Sequence, residues 1–92
     1  MIKSFNHKGL QRFFTTGSMA GINPQYALHC EERLQALHTA TEIDDMDWPG
    51  WRLHQLKGDH LGLLAVNVSG NWRIVFEFTD GNAYWVHSEY YH

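Results

Sequence analysis

"NWRIVFEFTDGNAYWVHSEYYH", Asn71 to His92, decides the fold. Trp72, Ile74, Phe76 and Phe78 recur at every second position, the period of a strand with one buried face. Asn71, Arg73, Val75 and Glu77 take the other face. Thr79-Asp80-Gly81-Asn82 then interrupts the pattern with turn residues, and a second β-rich run extends from Ala83 to Tyr91. A connection this short forces the two runs to pair antiparallel. In the second run, alternation groups Tyr84, Val86, Ser88 and Tyr90 against Ala83, Trp85, His87, Glu89 and Tyr91.

Two further β-rich runs precede this hairpin. "WRLHQL" (51–56) and "LGLLAVNV" (61–68) are separated by "KGDH", and "SG" leads on to the hairpin. In the first run Arg52, His54 and Leu56 share a face opposite Trp51, Leu53 and Gln55. Neither face is cleanly apolar, so its register stays open. A solvated second sheet face would be dominated by Lys and Glu. Arg73, His54 and the aromatics near the end of the last strand suggest the lining of a site instead.

The first half is helical in pattern. Asn23-Pro24 is a helix-start signal, an N-cap followed by proline at the first helical position. Ala27, Cys30, Leu34 and Leu37 continue on one stripe, while Glu31 and Glu32 face water. Earlier, Asn6 is the expected cap of a helix carrying Leu10, Phe13 and Phe14 and ending near Gly17, after a short opening strand in "MIKSF". Two helices followed by hairpins predict an α+β domain, with the helices on one face of a mostly antiparallel sheet.

Composition narrows the function. The 92 residues suit one domain, 1–92, and 43% hydrophobic content provides a modest core. The single cysteine, Cys30, rules out an internal disulfide framework and fits a reducing, cytoplasmic setting; packing is its expected role. No apolar run approaches the roughly 18–20 residues needed to cross a bilayer, and no signal peptide is expected. A net charge of −3 argues against a general nucleic-acid binder. The acids crowd into Glu42 to Asp47, read as a solvated loop, which leaves room for a local basic cleft elsewhere. Trp48, Trp51, Trp72 and Trp85 are expected in or near the core. The histidines lack metal-site spacing, so no metal or other cofactor is expected.

"LHQLKGDHLG" (53–62), "GNWRIVFEFTDGNAY" (70–84) and the Tyr91-His92 pair resemble HigB-type toxins, the plasmid-maintenance killer proteins of the RelE/ParE superfamily. "MIKSFNHKGLQRFF" and "RLQALHTATEIDDM" share that resemblance, which covers essentially the whole chain. It implies two helices against a curved antiparallel sheet, the RelE-like fold. It also implies a ribosome-dependent endoribonuclease that cuts mRNA in the A site during translation. Its partner would be a HigA-type helix-turn-helix antitoxin, through which alone the complex would contact operator DNA.

The site residues the resemblance implies are His54, Lys57, Arg73, Tyr91 and His92. Cutting RNA with side chains alone requires removing the 2′-OH proton, stabilising charge on the pentacoordinate phosphate and protonating the leaving 5′-oxygen. Histidine suits both proton transfers. His92 is taken as base and His54 as acid, with the reverse assignment nearly as good. Arg73 and Lys57 would hold the phosphate, since arginine offers a planar fork of donors and lysine a compact charge. Tyr91 would stack on a base or donate to the phosphate.

One position departs from the family. Tyr90 stands where an aspartate is common, with Glu89 one residue earlier, so Tyr90 is assigned to substrate binding but cannot act as an anion. Two rival readings remain: a ParE-like gyrase inhibitor without nuclease activity, and a weakened module that only binds antitoxin. The joint presence of His54, Arg73 and His92 favours the nuclease. For Arg73 the plain alternative is an ion pair with Glu77 on the same face.

Overall fold

The computed structural model describes residues 1–58 and 62–91. Helix α1 spans Lys8–Thr16 and α2 spans Ala27–Thr39; a 3-10 turn covers Ile43–Met46. Four strands follow: β1 (His54–Gln55), β2 (Leu64–Ser69), β3 (Trp72–Thr79) and β4 (Asn82–Tyr90). All neighbours pair antiparallel in the order β1-β2-β3-β4. This is the expected α+β arrangement, two helices on one side of an antiparallel sheet.

The β3–β4 turn is readable in residue types. Asp80 and Gly81 both have positive φ (53° and 78°), as a two-residue hairpin turn matched to strand twist requires. Gly81 is also pressed against the neighbouring loop, since a Cβ there would meet the Thr41 carbonyl oxygen at 3.2 Å.

The principal core lies between helices and sheet. Leu10 of α1, Cys30, Leu34 and Leu37 of α2, and Val66, Val68, Ile74, Phe76, Ala83 and Val86 of the sheet are all buried there. Cys30 is therefore a packing residue, its thiol pushed up by burial despite the opposing Arg33 charge. Trp51 and Trp72 pack against this core, but Trp48 and Trp85 are exposed, contrary to the sequence expectation.

The helix starts differ from expectation. His7, not Asn6, caps α1: its Nδ1 accepts the Leu10 N–H at 2.9 Å. Asn6 has its own backbone N–H committed to the Val86 carbonyl, so the helix begins one residue later. Asn23-Pro24 marks a turn rather than the helix start. The Asn23 side chain accepts from Gln25 N–H and its carbonyl from Tyr26 N–H, and α2 begins only at Ala27. The acidic stretch is also more ordered than a solvated loop. Asp45 accepts from the backbone N–H groups of Thr41 and Glu42, which hold its carboxyl below the usual range, and Met46 is buried.

The largest departure is in β4. Val75 pairs with His87 and Glu77 with Tyr84, so β4 carries one extra residue. Trp85 is the bulge residue, with φ 60° and its side chain in water. Ala83 and Val86 consequently both enter the core, where strict alternation had put them on opposite faces. The opening segment is not a regular strand. It follows the bulge through isolated bridges, Ile2 to Ala83 and Phe5 to Val86, and the Ser4 hydroxyl accepts the Trp85 N–H at 2.9 Å.

Candidate active site

The sheet face away from the helices carries a smaller apolar cluster of Leu56, Ala65 and Val75, with Leu63 against it. Around this floor stand charged and aromatic groups. Arg73 of β3 and Glu89 of β4 are direct cross-strand partners. Arg73 Nε donates to Glu89 Oε1 at 2.7 Å, and Nη2 forms an ion pair with the same oxygen. The second oxygen of Glu89, Oε2, lies 3.5 Å from His87 Nε2. Burial pushes the Glu89 carboxyl up, but the hydrogen bond and charge of Arg73, with His87 adding to them, hold it below the ordinary range.

Tyr91 lies just beyond β4, its N–H donating to the Asn71 carbonyl at 2.9 Å. Its ring lies under the Arg73 guanidinium, 4.5 Å from guanidinium carbon to ring centroid. That contact suits the planar, weakly hydrated guanidinium. Tyr91 also lines an open depression of about 420 Å³ together with Arg52, Leu53 and His54. His54, Tyr91 and Arg73 thus form a continuous surface across β1, β3 and the end of β4.

The surroundings of His54 define its chemistry. Its Nδ1 lies 2.6 Å from the Arg52 carbonyl oxygen, which can only accept, so the proton resides on Nδ1. In the neutral ring Nε2 then carries the lone pair. Arg52 holds this carbonyl from a left-handed backbone conformation, φ 53°, unusual for a residue with a side chain.

Lys57 is exposed two residues past β1. Tyr90 is not brought to this cluster. It faces the helix side of the sheet, edge-on to Trp72 at 5.3 Å. His92 lies outside the described residues. Arg73 pairs with Glu89 rather than with Glu77, the partner considered from sequence. Glu89, His87 and Arg52 are the site-face groups not singled out there as site residues. The signal for the first two was present, because 87, 89 and 91 alternate correctly beyond the bulge.

The α2 side fixes the approach to β1. Arg33 is buried, donates from Nε to the Asn67 carbonyl at 3.1 Å and lies 4.5 Å over the Trp51 ring. Asn67 N–H in turn donates to the Trp51 carbonyl. Trp51, immediately before Arg52, is held from both sides.

A family model for HigB-like toxins, described as the RelE-like toxin of the type II toxin–antitoxin system HigB, matches residues 3–91. The chain belongs to the HigB-like toxin family. The endoribonuclease HigB of Proteus vulgaris is 46% identical over 92 residues, covering the whole of both chains. Among the described residues of this HigB-like chain, no group of His, Cys, Asp and Glu is placed to hold a metal ion, and no helix is long and apolar enough to cross a membrane.

Proposed function

We propose that this HigB-like chain is a toxin that cuts mRNA on the translating ribosome by attack of a ribose 2′-OH on the adjacent phosphate. The reading rests on the full-length likeness to an endoribonuclease HigB. The observation that carries it is the continuous surface made by His54, Tyr91 and Arg73. An imidazole able to take a proton stands in one depression with an aromatic ring, and that ring stacks on a guanidinium.

In this mechanism His54 accepts the 2′-OH proton through Nε2, because the Arg52 carbonyl occupies Nδ1. That reverses the assignment favoured from sequence. His92 is the proton donor to the departing 5′-oxygen. Arg73 and Lys57 stabilise the charge gathered on the phosphate as the fifth bond forms. Tyr91 stacks on an unpaired nucleotide or donates to its phosphate. Tyr90, on the other sheet face, reaches substrate only through RNA or ribosome wrapping around the strand end.

The remaining partners follow the same reading: a HigA-type antitoxin, operator DNA met only through that antitoxin, and a cytoplasmic site of action. With a net charge of −3 the chain lacks the cationic surface to hold long RNA alone, so the ribosome presents the message. Primer extension on mRNA after induced expression tests this. New 5′ ends within translated codons are expected; intact messages with stalled replication would overturn the reading in favour of gyrase inhibition.

A further inference from the structure

The geometry points to Glu89 as the positioning residue for Arg73: its carboxylate fixes the guanidinium by the Nε edge so that the opposite edge meets the scissile phosphate. The inference rests on the nuclease reading above and assigns a role to a group that reading leaves unused.

Arginine has a long side chain with many rotamers, so a free one would lose much of its binding advantage on ordering. Here that ordering is already complete. Glu89 Oε1 accepts the Nε–H and is ion-paired with Nη2, which fixes one edge of the fork. The Tyr91 ring covers one face. Both strands are rigid at this point, since Arg73 and Glu89 are paired residues in the β3–β4 ladder. The Nη1 donors make no hydrogen bond within the described residues and form the edge available to an anion.

Glu89 is itself held. Its side chain is only 25% exposed, and its other oxygen faces the His87 imidazole. The carboxylate therefore divides its oxygens, one for the arginine and one for the histidine. A single-residue step along β4 would put Glu89 on the helix side, so this arrangement depends on the Trp85 bulge, which resets the phase of the strand before His87.

A carboxylate beside a cation also lowers the net positive potential at the phosphate, a cost that only correct orientation outweighs. That opposition makes the inference testable. Wild type, Glu89→Ala and Glu89→Gln are compared for cleavage of mRNA on programmed ribosomes, measuring the saturating rate and the half-saturating ribosome concentration separately. Misplacing a catalytic group by an ångström costs on the order of 100-fold, so Glu89→Ala is expected to lower the saturating rate by about 10- to 100-fold. The half-saturating concentration should stay unchanged. Glu89→Gln keeps an oxygen for the Nε–H but loses the charge of the ion pair, so it should cleave faster than Glu89→Ala yet measurably slower than wild type. It also serves if Glu89→Ala does not fold. Unchanged or faster cleavage by Glu89→Gln and any folded Glu89→Ala would overturn the positioning role, the faster case showing a carboxylate that merely competes with phosphate. Loss of ribosome affinity at an unchanged rate would overturn it too. Absence of cleavage by wild type would instead defeat the nuclease reading itself.

Discussion

His54 and Arg52 are joined by a 2.6 Å contact between the imidazole Nδ1 and a backbone carbonyl two residues earlier in the chain. The contact holds the ring and selects which nitrogen keeps its proton. Asparagine places an amide N–H close to where Nδ1–H stands but has nothing at the position of Nε2. His54→Asn should therefore preserve the fold and the local turn while lowering cleavage by about 10²- to 10⁴-fold, the usual worth of a positioned acid–base group. Cleavage on programmed ribosomes, with circular dichroism as the folding control, checks it. A near wild-type rate would remove His54 from proton transfer.

The Trp85 bulge leads to a second expectation. A residue with a side chain in the left-handed region costs about 1–2 kcal/mol, which glycine avoids at an entropic cost of about 0.5–1 kcal/mol. The Trp85 ring is exposed, so removing it forfeits little packing. Trp85→Gly should then be neutral to slightly stabilising in urea denaturation. Trp85→Val should destabilise by about 1–3 kcal/mol, because a β-branched residue resists positive φ. If the two variants behaved alike, the backbone conformation assigned to Trp85 would be wrong.

The bulge also marks the boundary of what the sequence makes legible. Phe76 and Ile74 announce the core face of β3 by period alone, and Asp80-Gly81 announces the hairpin by turn chemistry. Leu34 and Leu37 likewise reveal the buried stripe of α2. Nothing local announces that β4 slips by one residue at an exposed tryptophan, because that conformation is held from outside, by Ser4 and the opening segment. His7 and Asn6 are likewise set from outside the helix. Asparagine is the better cap in isolation, but the sheet edge claims its backbone first. The residues of the site surface were nameable from the family resemblance. The ion pair that orders Arg73 was not, since it depends on cross-strand register.

Arg33 is a buried charge held by the Trp51 ring, the Asn67 carbonyl, a 3.5 Å ion pair to Glu32 and contacts at 3.5 Å with the His29 carbonyl and Nδ1. Burial pulls its guanidinium down from the usual range, with the Glu32 charge opposing. Arg33→Ala removes the stacking and leaves the Asn67 carbonyl without this donor. A loss of about 2–4 kcal/mol in urea denaturation is expected. Lysine cannot reproduce a planar stack with an Nε–H, so Arg33→Lys should recover little of it. Full recovery by lysine would show that charge alone matters at this position.

Glu89 provides a pH signature in stability. Arg73, with His87 beside it, holds the folded carboxyl below its unfolded value, near the ordinary glutamate value of roughly 4.3. A group depressed in the folded state adds stability that is fully present above the unfolded value and disappears as pH falls through the folded one. Glutamine cannot ionise and lacks this contribution. Below about pH 5 the stability difference between wild type and Glu89→Gln should therefore shrink as the solution is acidified. Urea denaturation of both proteins at a series of pH values between roughly 3 and 7 reads the difference directly. A gap that widened on acidification below about pH 5 would mean that the carboxyl is raised rather than lowered, and that the ion pair does not hold Arg73.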